Sequence, residues 1–276
     1  MMAMKLVRYL IIVFLGMGTL ASAKVAEGAQ GTSQSNSQGS SEGTSSKNAM
    51  PKPRFKAIAF DYFVLFNPNS VVSEVEKAFP GKGQELTKLW RTKQFEYCFL
   101  RSITARHEDF FVVTGDALDY AVEAMKLSLK PEMRRRLVEA YLNLKLWPES
   151  KATLQRLRQA GVKVITIANF SSGMLRANAE QAGIAKDIDI LLSTEANKSF
   201  KPEPRAYDLG LQKLKLKKSE VVFAAFGGWD AYGAKSFGYP TYWVNRFELP
   251  VERLGLKADR TSADLSGLVE FVLTNH

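Results

Sequence analysis

Residues that form disulfides or bind metals are scarce in this chain. Its 276 residues include one cysteine, Cys98, and two histidines, His107 and His276. A single cysteine excludes an intramolecular disulfide, so the apolar core alone must hold the fold together. Two histidines far apart in sequence form no metal-binding cluster, and we predict no metal site and no cofactor. Cys98 lies among aromatic residues without a base nearby in sequence, so we predict a core position for it.

Long hydrophobic runs are also missing. The apolar run from Leu10 to Leu20 is too short for a typical transmembrane helix. Basic residues precede this run and Ala21-Ser22-Ala23 offers a small-residue cleavage site, which indicates a signal peptide over residues 1–23. We therefore predict cleavage near Ala23, a periplasmic or secreted protein, and no membrane contact after cleavage. An uncleaved anchor is the alternative.

Residues 24–50 have almost no large apolar side chains. They are rich in Ser, Gly, Gln and Asn, a composition that cannot bury enough surface to fold. We predict that this segment is a disordered linker and that the folded part of the chain begins near Pro51.

Acidic residues are fewer than basic ones. The sequence has 38 Lys and Arg against 28 Asp and Glu, and its formal net charge of +10 would attract anionic ligands. The densest basic runs, Arg134-Arg135-Arg136 and Lys213 to Lys218, have the spacing of solvated helix faces or helix ends. No nucleic-acid-binding motif accompanies them, so we predict no nucleic-acid partner.

Two apolar runs stop at or near a carboxylate. Phe55 to Phe60 is followed by Asp61, and Val221 to Phe226 is followed a few residues later by Asp230. Runs of this kind fit strands buried on both faces of a parallel sheet, in which ligands bind outside the carboxyl ends of the strands. Lys201 lies between them in the chain and supplies a cation that could keep a neighbouring carboxylate ionised. Together these residues predict an active site at that edge of the sheet.

Strand and helix patterns alternate over much of the chain. The predicted strands cover about 56–60, 163–168, 189–193, 221–226 and 241–245, and the predicted helices cover about 171–183, 203–216, 230–237 and 262–274. This alternation predicts an α/β fold with a doubly wound parallel sheet.

The stretch from 70 to 146 breaks the alternation. Its amphipathic helical patterns, at about 70–74, 85–99, 116–125 and 131–144, follow one another without an intervening strand. We predict that residues 70–146 form a helical cap domain, inserted after the first strand of a core domain made of residues 51–69 and 147–276. Such a cap would lie over the carboxyl edge of the sheet and exclude water from the site.

An ordered series of short motifs runs from about residue 55 to residue 272. In chain order they include Phe60-Asp61, Leu65-Phe66, Ser70-Val71, Phe79-Pro80-Gly81, Leu89 to Tyr97, Leu100-Arg101-Ser102, Lys201-Pro202, Trp229-Asp230-Ala231, Gly233 to Pro240 and Val244-Asn245-Arg246. In these motifs the chain resembles the L-2-haloacid dehalogenases of type II, which belong to the haloacid dehalogenase (HAD) superfamily. The resemblance implies a HAD-like, Rossmannoid core with a helical cap.

The resemblance also implies hydrolysis through an aspartyl ester. Asp61 matches the aspartate that attacks the halogen-bearing carbon and expels halide, after which water hydrolyses the ester. Lys201 matches the lysine that keeps this aspartate ionised, and Asp230 matches a carboxylate that orients the lysine or helps to position water. Arg91 matches the residue that binds the departing halide or the substrate carboxylate, a role that suits a permanently charged guanidinium.

Further matches imply how the substrate is bound. Asn169 matches a strand-end donor, Tyr207 a supporting hydroxyl, and Phe110 and Trp229 apolar walls around the halide. The implied partner is a small anionic substrate, a 2-halocarboxylate. By analogy with similar proteins, the cap helices could also form the face of a homodimer.

Several positions depart from the family pattern. After its nucleophile the family has a tight loop with Gly and Thr, whereas this chain has Phe63 and Val64 in a loop that is one residue shorter. Farther along, Ala168 stands for Ser, Phe170 for Gly, Ala225 for Ser, and Gly227 for an Asn that helps to place water. Loss of one preorganised donor can cost about 2.7–4 kcal/mol of transition-state stabilisation, although such losses are not additive.

Two alternative functions follow from these departures and from the superfamily. The missing polar groups would suit a catalytically impaired exported protein that binds a small carboxylate or a protein partner. A HAD phosphatase would need Mg²⁺ and usually a second carboxylate two residues after the nucleophile, and that position is Phe63. We therefore favour hydrolytic dehalogenation of short 2-haloalkanoic acids.

Overall fold

The computed structural model describes residues 53–274. The predicted signal peptide, the predicted linker and His276 lie outside the described residues. Among residues 53–274, no helix combines the length and the apolar character needed to cross a bilayer.

A parallel sheet forms the centre of the described chain. In chain order the strands are β1 (Ala57–Phe60), β2 (Phe66–Asn67), β3 (Lys145–Leu146), β4 (Lys163–Thr166), β5 (Val221–Ala225), β6 (Thr241–Val244) and β7 (Arg260–Ser262). The main sheet has the order β4-β1-β5-β6-β7, and all of its pairings are parallel. Because β1 pairs with both β4 and β5, the residue after β1 lies at the middle of the carboxyl edge.

Helices connect and flank these strands. They are α1 (Tyr62–Leu65), α2 (Val72–Ala78), α3 (Gly83–Ile103), α4 (Phe110–Ala124), α5 (Pro131–Glu139), α6 (Ser150–Gln159), α7 (Ser172–Gln181), α8 (Pro204–Leu214), α9 (Gly228–Phe237) and α10 (Leu268–Leu273). The parallel sheet with flanking helices confirms the predicted α/β class.

The apolar side chains of β1 and β5 enter separate cores on the two faces of the sheet. Ile58 and Phe60 belong to one buried cluster, whereas Ala57 and Ala59 belong to the other. This division follows from the alternation of side chains along a strand, and it explains why the strands read as continuous apolar runs. Cys98 is fully buried in the first cluster, which confirms the predicted core position.

Helices α2 to α5 lie between β1 and β4 in the chain, and we refer to them as the insertion. Within it α3 and α4 are tied by buried polar contacts, since Trp90 Nε1 donates to the Thr114 carbonyl at 2.7 Å and Gln94 Nε2 to Thr114 Oγ1 at 3.0 Å. The short antiparallel pair β2–β3 joins the two ends of the insertion, with Phe66 opposite Leu146. The limits 70–146 for a separate cap domain stay a prediction.

Residues 189–193 do not form the regular strand that was predicted there. Only isolated bridges form there, Ile165 with Ile190 and Ala168 with Ser193. Side chains replace part of the backbone ladder, because Thr166 Oγ1 accepts from Leu192 N at 2.9 Å and an Asp189 carboxylate oxygen accepts from Val164 N at 2.8 Å. Backbone bonds still join the segment to β4 and the residues after it, since Thr166 N donates to Ile190 O at 3.0 Å and Ala168 N donates to Leu192 O at 3.1 Å.

Further elements differ from the predictions, and the short strands β2 and β3 are among those not predicted. Helix α6 and the one-turn helix α1 were not predicted. The predicted helix at 262–274 is shorter, because Arg260–Ser262 pairs with β6 as β7 and α10 begins only at Leu268.

Candidate active site

Asp61 directly follows β1 at the carboxyl edge of the sheet. Its backbone is extended, and its side chain caps α1 by accepting a hydrogen bond from Phe63 N at 2.8 Å. The Asp61 N–H donates to the Ala224 carbonyl of β5 at 2.9 Å, so the backbone on which the carboxylate stands is fixed by the sheet. About a tenth of the side chain stays exposed, at 12 %, and solvent can therefore reach it.

Lys201 joins Asp61 to Asp230. Its ammonium lies 2.6 Å from Asp61 Oδ2 and 2.7 Å from Asp230 Oδ2, and the lysine side chain is fully buried. A buried ammonium between two carboxylates satisfies charges that would each be costly to bury alone. The structure thus brings together the three residues that the sequence analysis assigned to catalysis.

The charges of this triad act on one another. Burial disfavours the Lys201 ammonium, but Asp230 and Asp61 outweigh this and hold the pKa of Lys201 above its ordinary value. Burial raises the pKa of Asp230 to about 6, although Lys201 opposes the shift. Lys201 is therefore a permanent cation near neutral pH, and it stabilises negative charge on the carboxylate it touches.

Two predicted binding residues form hydrogen bonds with members of the triad. Tyr207 is fully buried, and its hydroxyl donates to Asp230 Oδ1 at 2.7 Å. Asn169 follows β4, and its Oδ1 accepts from the backbone N–H of Lys201 at 2.8 Å. Their observed contacts position Asp230 and Lys201.

Arg91 supplies a second buried cation. It lies on α3, its Cζ is 4.6 Å from the centre of the Phe63 ring, and its Nη1 atom is buried without a hydrogen-bond partner in the described part of the chain. Burial lowers the pKa of Arg91, and the neighbouring Tyr141 and Asp61 oppose this shift. A buried donor without a partner is costly, so this guanidinium is suited to bind an anion close to Asp61.

Phe110 and Trp229, the predicted apolar walls, lie on different elements. The Phe110 ring of α4 stacks on Phe170 at 5.0 Å between ring centres. The Trp229 ring at the start of α9 contacts Phe95 and Phe99 of α3, at 5.3 Å in each case. Both contacts join the helical insertion to loops that follow the strands.

Aromatic rings occupy the region where the sequence departs from the family pattern. Phe63 contacts Phe170 at 5.2 Å and Phe226 at 5.8 Å. A side chain at Gly227 would collide with the indole of Trp229, because a Cβ placed there would lie 2.7 Å from Trp229 Nε1. Phe63 and Phe170, which stand where the family pattern has Gly, thus pack as rings beside positions whose expected polar side chains are missing.

Three residues beside the site were not assigned a role by the sequence analysis. Tyr141 lies next to Arg91, and its hydroxyl donates to Gln94 Oε1 at 3.1 Å. Ser102 Oγ accepts from Phe200 N at 3.1 Å and so ties the end of α3 to the loop that carries Lys201. Gln94 and Ser102 fall inside the matched motifs, which was the available signal for them, whereas Tyr141 carries no such signal.

The fold and the site together define a class of protein. A carboxylate at the centre of the carboxyl edge, held by a buried lysine and approached by an arginine from a helical insertion, is an arrangement for nucleophilic catalysis by aspartate. Comparison with known proteins identifies the family. A family model described as haloacid dehalogenase-like hydrolase matches residues 52–238. The chain belongs to the haloacid dehalogenase-like hydrolases.

Individual relatives agree with this assignment. The chain is 38% identical to the (S)-2-haloacid dehalogenase of Pseudomonas sp. (strain YL) over 220 residues, which cover 79% of this chain and 95% of the relative. It is 34% identical to haloacetate dehalogenase H-2 of Moraxella sp. (strain B), over 79% of this chain and 98% of the relative. Its fold matches the structure of the L-2-haloacid dehalogenase from Xanthobacter autotrophicus with chloropropionic acid covalently bound, with a TM-score of 0.75, 30% identity, and coverage of 79% and 98% of the two chains.

Proposed function

We propose that this protein hydrolyses the carbon–halogen bond of short 2-haloalkanoic acids through an ester on Asp61. The observation that carries the proposal is the contact of 2.6 Å between Lys201 Nζ and Asp61 Oδ2, together with the buried Nη1 atom of Arg91, which has no hydrogen-bond partner in the described part of the chain. The names of the relatives support the same reaction, and the covalently bound chloropropionic acid in the Xanthobacter autotrophicus protein supports a covalent intermediate.

The first step is a displacement at the halogen-bearing carbon. An oxygen of Asp61 forms a bond to this carbon while the carbon–halogen bond breaks and its electron pair leaves with the halide. Lys201 contacts Asp61 at 2.6 Å and orients its carboxylate, and Arg91 binds the departing halide or the substrate carboxylate. Phe110 and Trp229 keep the surroundings apolar, and exclusion of water strengthens both electrostatic contacts.

The second step is hydrolysis of the ester. Water attacks the carboxyl carbon of Asp61, the 2-hydroxyacid leaves with the original aspartate oxygen, and one proton is released. Asp230 holds Lys201 in place, and Tyr207 and Asn169 position Asp230 and the Lys201 backbone. Asp61 is thereby regenerated with one oxygen from water.

The decisive test is halide release from chloroacetate and from both enantiomers of 2-chloropropanoate by the purified protein, with and without a chelator. We expect release that is unaffected by chelator, abolished by Asp61→Asn and unchanged by Asp119→Asn, which alters an exposed carboxylate paired with Arg134. A single turnover in H₂¹⁸O should place the label in Asp61. Release that persists in Asp61→Asn would contradict the mechanism.

A second candidate, binding without turnover, is favoured by the loss of polar side chains of the family pattern at Val64, Ala168, Ala225 and Gly227. It predicts that the wild-type protein binds a 2-haloacid, as measured by calorimetry, but releases no halide from it. A phosphatase is disfavoured because the position two residues after Asp61 carries Phe63 and no carboxylate. The N–H of Phe63 donates to the Asp61 carboxylate, and its ring is buried. Phosphate release that requires Mg²⁺ would reverse this ranking.

Export and self-association complete the proposal. The signal-like segment 1–23 supports a periplasmic or secreted location, which is tested by cell fractionation and by sequencing the N-terminus of the mature protein. The exposed side chains of Leu100, Ile103 and Val112 on α3 and α4 support a homodimer formed by the insertion. Light scattering would measure the mass, and a concentration-independent monomer would contradict the dimer.

A further inference from the structure

Three phenylalanines follow the ends of three neighbouring strands. Phe63 comes after β1, Phe170 after β4 and Phe226 after β5. Because parallel strands end at one edge of the sheet, these rings meet there. Phe63 packs edge-on against Phe170 at 5.2 Å and contacts Phe226 at 5.8 Å. They form one connected set of rings, which we term the aromatic wall.

The aromatic wall borders the reacting carboxylate directly. The N–H of Phe63 is bonded to Asp61 at 2.8 Å, and the guanidinium of Arg91 lies over the Phe63 ring at 4.6 Å. A substrate held between the Asp61 oxygen and Arg91 must therefore lie against this ring. Phe110 stacks on Phe170 at 5.0 Å and extends the wall toward α4.

Little empty space surrounds the carboxylate. Phe63 and Phe170 are buried, Lys201 and Asp230 are completely enclosed, and only 12 % of the Asp61 side chain is exposed. Phe63 contacts both other rings of the wall and Phe170 is stacked on Phe110 as well, so neither buried ring can turn aside without displacing a neighbour, whereas Phe226 is partly exposed. In an interior packed this closely, added carbon atoms are accommodated poorly.

We infer that Phe63, Phe170 and Phe226 restrict the substrate to two-carbon 2-haloacetates by filling the space that a methyl group on the halogen-bearing carbon would need. This inference rests on the proposed function. The reaction is then haloacetate plus water giving glycolate, halide and a proton. One methyl group in a closed apolar pocket changes kcat/KM by roughly 10- to 200-fold, and this is the expected preference for chloroacetate over 2-chloropropanoate.

The experiment compares kcat/KM for chloroacetate and for each enantiomer of 2-chloropropanoate. The wild-type protein should show the preference, and Phe170→Ala should reduce it to about a tenth or less of its value by opening the wall. Phe170→Leu removes fewer atoms and should also lower the preference for chloroacetate. This variant keeps the test valid if the alanine variant folds poorly. Phe247→Ala is the matched control, because this exposed ring lies outside the wall, where it contacts Phe226, and its loss should leave the preference unchanged.

A binding measurement separates failure of the inference from failure of the proposed function. In the Asp61→Asn background, calorimetry with bromoacetate and 2-bromopropanoate reports the pocket without turnover. Equal kcat/KM for the two substrates in the wild type would overturn the inference and leave the function standing. Without any halide release, selective binding of bromoacetate would support the inference alone. If no halide is released and the two bromoacids bind equally, or neither binds, both the inference and the proposed function are overturned.

Discussion

The position of Lys201 sets the charge balance of the site. Its ammonium has no exposed surface and contacts both Asp61 and Asp230. Removing one partner from a buried ionic group leaves the others uncompensated, which typically costs about 3–5 kcal/mol. The lysine therefore has a structural consequence that is separate from its proposed role in catalysis.

For this reason we expect Lys201→Met to lower the free energy of unfolding by about 3–5 kcal/mol at neutral pH. Part of this loss should be recovered as the pH falls from 7 to 5. The pKa of Asp230 already lies near 6 in the wild-type fold, above its ordinary value, and loss of Lys201 raises it further. A carboxyl group with a raised pKa in the folded state favours folding as the pH falls toward its unfolded pKa.

Urea unfolding at both pH values would measure this effect. The wild-type protein is the control, since Lys201 stays charged throughout this range and its own contribution is lost only as the pH rises through its elevated pKa. A variant that loses the same stability at pH 5 and at pH 7 would contradict the account.

At the same scale, the sequence predicted Asp61, Lys201 and Asp230 as members of one site but missed how the rings meet. Phe63 and Phe170 could be recognised as departures from a pattern, because each stands where the family pattern has Gly. Their mutual contact could not be predicted, since the two residues are distant in sequence and come together only through the register of β1 with β4.

Among the elements, α7 and the end of the insertion are joined by one buried side chain. Asn178 accepts from Leu144 N at 2.7 Å and donates to the Tyr141 carbonyl at 2.8 Å. We expect Asn178→Leu to leave both backbone groups buried and unpaired, at a cost of about 2–4 kcal/mol. Chemical denaturation would measure it, with Gln181→Ala on the exposed face of the same helix as the control. A change within about 0.5 kcal/mol of the control would contradict this role.

Strands and helices were predictable where most of their buried side chains are apolar. The runs of β1 and β5 are buried at every position and gave clear strand patterns. Helix α6 was missed because Ser150 and Thr153 take two of its four buried positions, which weakens its apolar stripe. The segment 189–193 was assigned as a strand because its side chains suit one, and it does form backbone hydrogen bonds with residues 164–168, but side chains of Thr166 and Asp189 take the place of others.

At the scale of the whole molecule, the first residues of the described chain are held by contacts with its last helix. The N–H groups of Arg54 and Phe55 donate to the carbonyls of Leu273 and Val272, at 3.3 Å each, and the Phe55 ring packs on Phe271 at 5.8 Å. These contacts join the start of β1 to the last helix and so close the core.

A chain that begins at Pro51 should therefore match the full-length protein in unfolding free energy and in halide release. A chain that begins at Ala57 loses the Phe55 ring and should be less stable by about 3–5 kcal/mol, the usual cost of deleting a buried phenylalanine side chain. Thermal unfolding and halide assays of both chains test this. Equal stability of the two would show that the contacts around Phe55 contribute nothing.

The short pair β2–β3 determines how the insertion is attached. Phe66 and Leu146 face one another, and the next residue, Trp147, donates from its backbone to Leu65 and from its indole to Phe63. The two ends of the insertion thus lie at adjacent points beside the nucleophile. The segment between those points is therefore an exchangeable unit. Replacing it with the corresponding segment of a relative requires only two junctions, which lie next to each other. The order of the strands in the sheet stays unchanged, and Asp61 stays at the end of β1.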